Sequence, residues 1–240
     1  MLFVLSEKRR NKMLKDTVNG LDKFLKKHIP PGFVILIKGS PGTLKSGFMH
    51  NVLSNYLSKE KKEFGVYATI EETKESHLRN MRSLGIKMPD NMEMFDYSDI
   101  RTEWKKEEKE GKLDIVKITE DIIKFYKEEK KENFTIFALD SFSALCSLAE
   151  VKRGDSYHFF TLLRNSGLTS FVAQETEGQQ SIPESFLADG VVELGTVETH
   201  EDVLRYIQVK KMRAVKHSMK KHQLIVESDG LSVLEPVYEK

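Results

Sequence analysis

The stretch Gly39-Ser40-Pro41-Gly42-Thr43-Leu44-Lys45-Ser46 decides the fold of this chain. It follows the phosphate-loop pattern G-x-x-x-x-G-K-[ST] except at Leu44, which stands where the pattern has its second glycine. An apolar run, Phe33-Val34-Ile35-Leu36-Ile37, precedes it, and Phe48, Val52, Leu53, Tyr56 and Leu57 follow at helical spacing. A strand, a tight loop and a helix in that order are the context the motif requires. Backbone N–H groups of such a loop converge, with the positive end of the helix, on phosphate oxygens. Lys45 would reach β- and γ-phosphates, and the Ser46 hydroxyl would hold Mg²⁺. Leu44 introduces a local conflict, because a residue with a Cβ resists the positive φ that glycine supplies there.

Outward from the loop, strands alternate with helices. Phe33–Lys38 leads into the loop helix, and Gly65–Ile70 leads into a helix over Thr73–Leu84. A short strand at Met92–Phe95 follows, then an amphipathic helix with Ile115, Ile118, Ile122, Ile123 and Tyr126 on one side. Phe134–Leu139 reads as a buried strand, Asp155–Asn165 as a helix with Asp155 as N-cap, and Thr169–Ala173 as another strand. Such alternation predicts an α/β fold, with a mostly parallel central sheet flanked by helices. After Gly190 the period changes. Val191–Gly195, Val203–Lys211, His222–Val226 and Leu231–Leu234 are short strands that predict C-terminal antiparallel hairpins. Residues 1–16 read as a charged arm and 17–240 as one domain, with the Lys/Glu run at 101–112 a solvated excursion.

Bulk composition narrows the function classes. The 38 basic and 37 acidic residues nearly cancel, so no global positive field points to nucleic acid. The single cysteine, Cys146, excludes an intrachain disulfide and fits a reducing, cytoplasmic setting. On a helix it reads as a small buried hydrophobe. Met1-Leu2-Phe3-Val4-Leu5 is too short for a secretory h-region, and no apolar run approaches a membrane span.

Three further groups bear on phosphate chemistry. Phe134-Thr135-Ile136-Phe137-Ala138-Leu139-Asp140-Ser141 runs an apolar strand into a carboxylate, the form of a Walker B segment that holds Mg²⁺ through water, or of an Asp that caps the next helix. Ile70-Glu71-Glu72 ends the strand after the loop helix, at the carboxyl edge where open parallel sheets bind ligands. One of these glutamates could take the proton of an attacking water; equally, both suit the first turn of a helix from Thr73. Lys211-Met212-Arg213 sets two cations on one face of a late strand. They could reach a γ-phosphate from a neighbouring subunit, block an exposed sheet edge, or join Lys210, Lys216, Lys220 and Lys221 in a modest nucleic-acid patch.

Taken in order, these segments resemble the KaiC-like branch of the RecA-superfamily ATPases, in its single-domain form common in archaea. The resemblance runs from about Gly20 to Leu234. Asn19-Gly20-Leu21-Asp22 is similar to the family's signature before the first core strand. Ala68-Thr69-Ile70-Glu71-Glu72 with Leu78–Ile86 resembles its paired-glutamate strand and the following helix. Leu139–Leu145, Glu184–Val192 and Lys211-Met212-Arg213 complete the set. The resemblance implies a RecA-like fold, ATP and Mg²⁺ as ligands, Glu71 as catalytic base with Glu72 supporting, and a homo-oligomer, with a hexameric ring favoured. It also implies that Lys211 and Arg213 contact ATP on the adjacent subunit. Two features depart from the family: Leu44 in the loop, and Ser185-Phe186 where autophosphorylating members carry adjacent hydroxyls. Three functional readings stand: slow Mg-dependent ATP hydrolysis as a conformational signal, a non-hydrolysing ATP sensor or scaffold, and a DNA-dependent ATPase. Measured turnover separates the first two, and salt-dependent binding to single-stranded DNA marks the third.

Overall fold

Every residue of the strand before the phosphate loop, β1 (Val34–Gly39), is buried. Ile35 and Ile37 face one apolar core while Val34 and Leu36 face another. A strand covered on both sides needs continuous apolar sequence and helices on each face, which is why the run before Gly39 is unbroken. The structure, a computed structural model, describes residues 14–97, 114–148, 152–176, 182–199 and 202–238. The 101–112 run and residues 1–13 of the arm lie outside these. Leu14 already belongs to the core.

After β1 come α1 (Lys45–Lys59), β2 (Phe64–Thr69), α2 (Lys74–Ser83), β3 (Met92–Asp96), α3 (Ile115–Lys130), β4 (Phe134–Asp140), α4 (Phe142–Ser147), α5 (Arg153–Ser166) and β5 (Thr169–Glu175). The chain continues through α6 (Glu184–Leu187), β6 (Gly190–Glu198), β7 (Val203–Met212), β8 (His222–Glu227) and β9 (Gly230–Pro236). The described strands form one sheet in the order β3-β2-β4-β5-β1-β6-β7-β8-β9. Pairing is parallel from β3 through β6 and antiparallel from β6 through β9. The expected mostly parallel sheet with C-terminal hairpins is therefore the observed one. Phe48, Val52, Leu53 and Leu57 of α1 pack on one face; Ile122 and Ile123 of α3 with Phe159, Phe160 and Leu163 of α5 cover the other.

Two local expectations change. Lys152, not Asp155, is the N-cap of α5; Asp155 stands three residues in, and its Oδ2 accepts from the Lys152 backbone N–H at 2.9 Å. The carboxylate thus closes a capping box from inside the helix. Strand β2 stops at Thr69, so Glu71 and Glu72 sit in the turn before α2. Thr73 caps that helix, its side chain accepting from Ser76 N–H at 3.3 Å.

Candidate functional site

Sheet register brings Gly39, Thr69, Asp140 and Glu175 to the same carboxyl edge. Gly39 pairs with Glu175, and Thr69 with Asp140. The loop from Gly39 to Leu44 rises from this edge into α1. Gly39 has no room for a side chain: a Cβ there would lie 2.2 Å from Leu194 O and 2.7 Å from Thr43 Oγ1. Within the loop, Thr43 Oγ1 donates to Ser40 O at 2.7 Å and Ser40 Oγ donates to Thr176 O at 3.1 Å.

Leu44 does take the left-handed conformation, with φ 70° and ψ 29°, and it is the N-cap of α1. The Cβ penalty of about 1–2 kcal/mol is opposed by packing of the Leu44 side chain against the core below α1. No side chain caps α1, so its first N–H groups keep the orphan-donor character that suits an anion. Because the loop already holds this shape, Leu44→Gly is expected to change the Kd for ATP by less than about fivefold. Titration calorimetry on that variant measures it, and a larger gain would mean that Leu44 holds the loop closed.

Lys45 is buried, and its ammonium donates to Ser40 O at 3.1 Å and to Glu175 Oε1 at 3.3 Å. Glu175 was not singled out by sequence reading, although Thr169–Glu175 has the same form as the segment ending at Asp140: an apolar strand running to a carboxylate. A phosphate bound at this loop would compete with Glu175 for one cation. Glu175→Gln is therefore expected to tighten ATP binding by about threefold to thirtyfold, as removal of a partly exposed rival charge would. Weaker binding in that variant would show Glu175 to be a ligand contact instead.

Asp140 is buried at the end of β4. The Tyr67 hydroxyl donates to its Oδ2 at 2.7 Å and lies 3.4 Å from Ser46 O, so one phenol ties the strand carboxylate to the first turn of α1. Ser141, not Asp140, caps α4, its Oγ accepting from Ala144 N–H at 3.1 Å. The same hydroxyl bonds Glu71 Oε1. Burial raises the Glu71 carboxyl above its ordinary value, opposed by the Ser141 hydrogen bond and assisted by the charges of Asp140 and Glu175. Glu72 turns the other way: His77 Nδ1 lies 2.9 Å from its Oε1, and Asn80 Nδ2 donates to its Oε2 at 2.9 Å. The geometry gives different partners to two glutamates that the residue pattern alone left equivalent. Among the described residues no cluster of three or more His, Cys, Asp and Glu side chains could hold a metal alone. Mg²⁺ at a phosphate site asks for less, one or two protein oxygens with phosphate and water supplying the rest. Ser46 and Asp140 fit that demand.

Lys211 and Arg213 do not join this group within the protomer. Met212 pairs with Gly190, which pairs in turn with Ile35 near the start of β1, so both cations lie at the amino edge of the parallel strands. Lys211 Nζ donates to the carbonyls of Ala188 at 2.7 Å, Ser185 at 3.0 Å and Phe186 at 3.4 Å; Arg213 pairs with Asp189 at 2.8 Å. Arg205, at the other end of β7 and also missed in the sequence, reaches the loop: its Nε donates to Gly42 O at 3.3 Å. Cys146 is partly buried on α4, and burial pushes its thiol up to about 12, away from the thiolate form.

The model of the ATPase family described as KaiC matches residues 14–238. The chain belongs to the KaiC ATPase family. A UPF0273 protein of Pyrococcus furiosus is 28% identical over 231 residues, which cover 92% of this chain and 93% of that protein. The circadian clock protein KaiC2 of Synechocystis is 26% identical over 226 residues; the match covers 90% of this chain and 39% of KaiC2. In fold, this KaiC-family chain is similar to a KaiC-like protein of Pyrococcus horikoshii, with a TM-score of 0.76 at 24% identity, covering 93% of this chain and 99% of that one. No helix among the described residues is long and apolar enough to cross a membrane.

Proposed function

We propose that this chain binds Mg-ATP at Gly39–Ser46 and hydrolyses it slowly, using the bound nucleotide as a conformational signal. The observation that carries the reading is the gathering of Lys45, Ser46, Asp140 and Glu71 at one carboxyl edge, around an uncapped helix start. Lys45 would exchange Glu175 and Ser40 O for phosphate oxygens. Mg²⁺ held by Ser46 and, through water, by Asp140 would neutralise charge on the phosphate oxygens. Glu71 would accept the proton of the attacking water, and burial raises its carboxyl above the ordinary value, the direction that favours a base. Arg205 stands over Gly42 as a further cation at the mouth of the loop. Calorimetric titration of the purified chain with Mg-ATP, followed by phosphate release, tests the reading directly. No heat at millimolar nucleotide would end it, and binding without release would favour the sensor.

Lys211 and Arg213 enter this reading only through a second copy. A γ-phosphate at the carboxyl edge is out of their reach in the same protomer, so the contact requires head-to-tail packing, which closes into rings when the rotation permits. ATP-promoted assembly, with a hexamer favoured, is the expected behaviour. Arg213→Ala should lower turnover by about tenfold or more while sparing ATP binding. Light scattering with and without nucleotide checks the assembly. A strictly monomeric protein that hydrolyses normally would return both residues to a structural role at α6.

A further inference from the structure

Beneath the phosphate loop runs a buried polar chain that the reading above does not use. His50 Nδ1 lies 3.0 Å from His77 Nε2, and His77 Nδ1 lies 2.9 Å from Glu72 Oε1. Neither imidazole is exposed. Tyr67, whose hydroxyl holds Asp140, packs on both rings, with centroids 4.7 Å from His77 and 5.4 Å from His50.

The partners dictate where the protons sit. An ionised Glu72 only accepts, so His77 donates from Nδ1. With His77 neutral, its Nε2 accepts and His50 donates from Nδ1, leaving His50 Nε2 as an acceptor. Among the described residues that nitrogen is buried without a hydrogen-bond partner. A second proton on His77 would reverse the direction, bury a cation and make His50 Nε2–H an orphan donor. Orphan donors are rarer than orphan acceptors, and a buried cation adds its own desolvation cost. Burial, then the neighbouring His77, lowers His50 to about 3, in keeping with a neutral ring there.

The chain also joins two functional elements. Glu72 precedes the Thr73 cap and His77 lies one turn into α2, the two positions that fix how a chain enters a helix. From His77 the link continues to His50 on α1, four residues beyond Ser46. The turn that carries Glu71 is thereby tied to the helix that carries Lys45 and Ser46.

We propose that Glu72, His77 and His50 form a positioning relay that withdraws Glu72 from the phosphates and holds Glu71 in register with Lys45 and Ser46. The inference rests on the reading of Glu71 as base. It is tested first without turnover. Nitrogen NMR of histidine-labelled wild type at neutral pH is expected to show both rings protonated at Nδ1 and bare at Nε2. A proton on Nε2 of either ring would overturn the relay, whether or not the protein hydrolyses ATP. The second arm is kinetic. His77→Phe keeps a ring against Tyr67 but removes both hydrogen bonds; kcat should fall by about tenfold to a hundredfold with KM nearly unchanged, the cost of a slightly misplaced base. His77→Asn places its Nδ2 where Nδ1 stood against Glu72 and should recover most of that loss. Wild-type kcat in the Phe variant, or equal losses in both variants, would overturn the positioning role. Should the Phe variant fail to fold, the wild-type spectrum and the Asn variant still decide. Turnover that survives Glu71→Gln would instead sink the base reading, leaving the ring spectrum to judge the relay.

Discussion

Replacing Lys45 by alanine is expected to remove ATP binding, raising Kd by at least about a hundredfold. Two charge-assisted hydrogen bonds to phosphate oxygens amount to about 3–5 kcal/mol, and each 1.4 kcal/mol is roughly a factor of ten. The fold should survive. Lys45 is enclosed, but its partners in the free protein are one loop carbonyl and Glu175, whose side chain is 39% exposed and can turn to solvent. Calorimetry on the variant, with a thermal melt as control, separates the two effects. Mg-ATP binding within a few-fold of wild type would remove Gly39–Ser46 from the nucleotide site.

Glu71→Gln is expected to keep Mg-ATP affinity and lose about two to four orders of magnitude in kcat, since the amide preserves shape but accepts no proton. The pH profile gives an independent reading. Burial raises the Glu71 carboxyl in the folded protein, so the native state binds this proton more tightly than the unfolded chain does. The contribution of Glu71 to folding stability therefore falls as pH rises from the ordinary carboxylate range through the raised value. Activity moves oppositely over that window, because only the ionised group serves as base. In wild type the acid limb of kcat/KM should sit above the ordinary glutamate range, and in the variant it should vanish. A variant with unchanged kcat, or a wild-type limb at the ordinary value, would reject Glu71 as base.

Much of the fold was legible because its signals are local. The continuous apolar runs before Gly39 and Asp140 have the length and flanks of strands covered on both faces, and the change of period after Gly190 marks the hairpins. Lys45, Ser46 and Asp140 could be singled out by equally local signals, the first two opening the helix after the loop that follows β1 and the third closing β4. Glu175 was half legible: its strand was recognised, but stopping that strand at Ala173 left the carboxylate outside the pattern. Arg205 met the loop through 163 residues of sequence separation, and no spacing announces such a contact. His50 and His77 looked like ordinary helix residues. Only the contact between the two rings, one on α1 and one on α2, sets them apart. Leu44 shows the opposite limit, where a rule of backbone preference yielded to tertiary packing: the leucine adopts a conformation that local sterics disfavour.

Strand β7 runs antiparallel to its neighbour β6 and spans the sheet from edge to edge. Its first half carries Arg205, which touches the phosphate loop of its own protomer, and its far end carries Lys211 with Arg213 just beyond. From Arg205 to Met212 is seven residues of extended chain, roughly 23 Å. In a head-to-tail assembly the same strand would end at two successive nucleotide sites, one at each tip. A strand within a hydrogen-bonded sheet stretches little, so displacement at one tip is delivered to the other with little loss. The direction in which such a ring passes a signal would then be written in the polarity of a single strand.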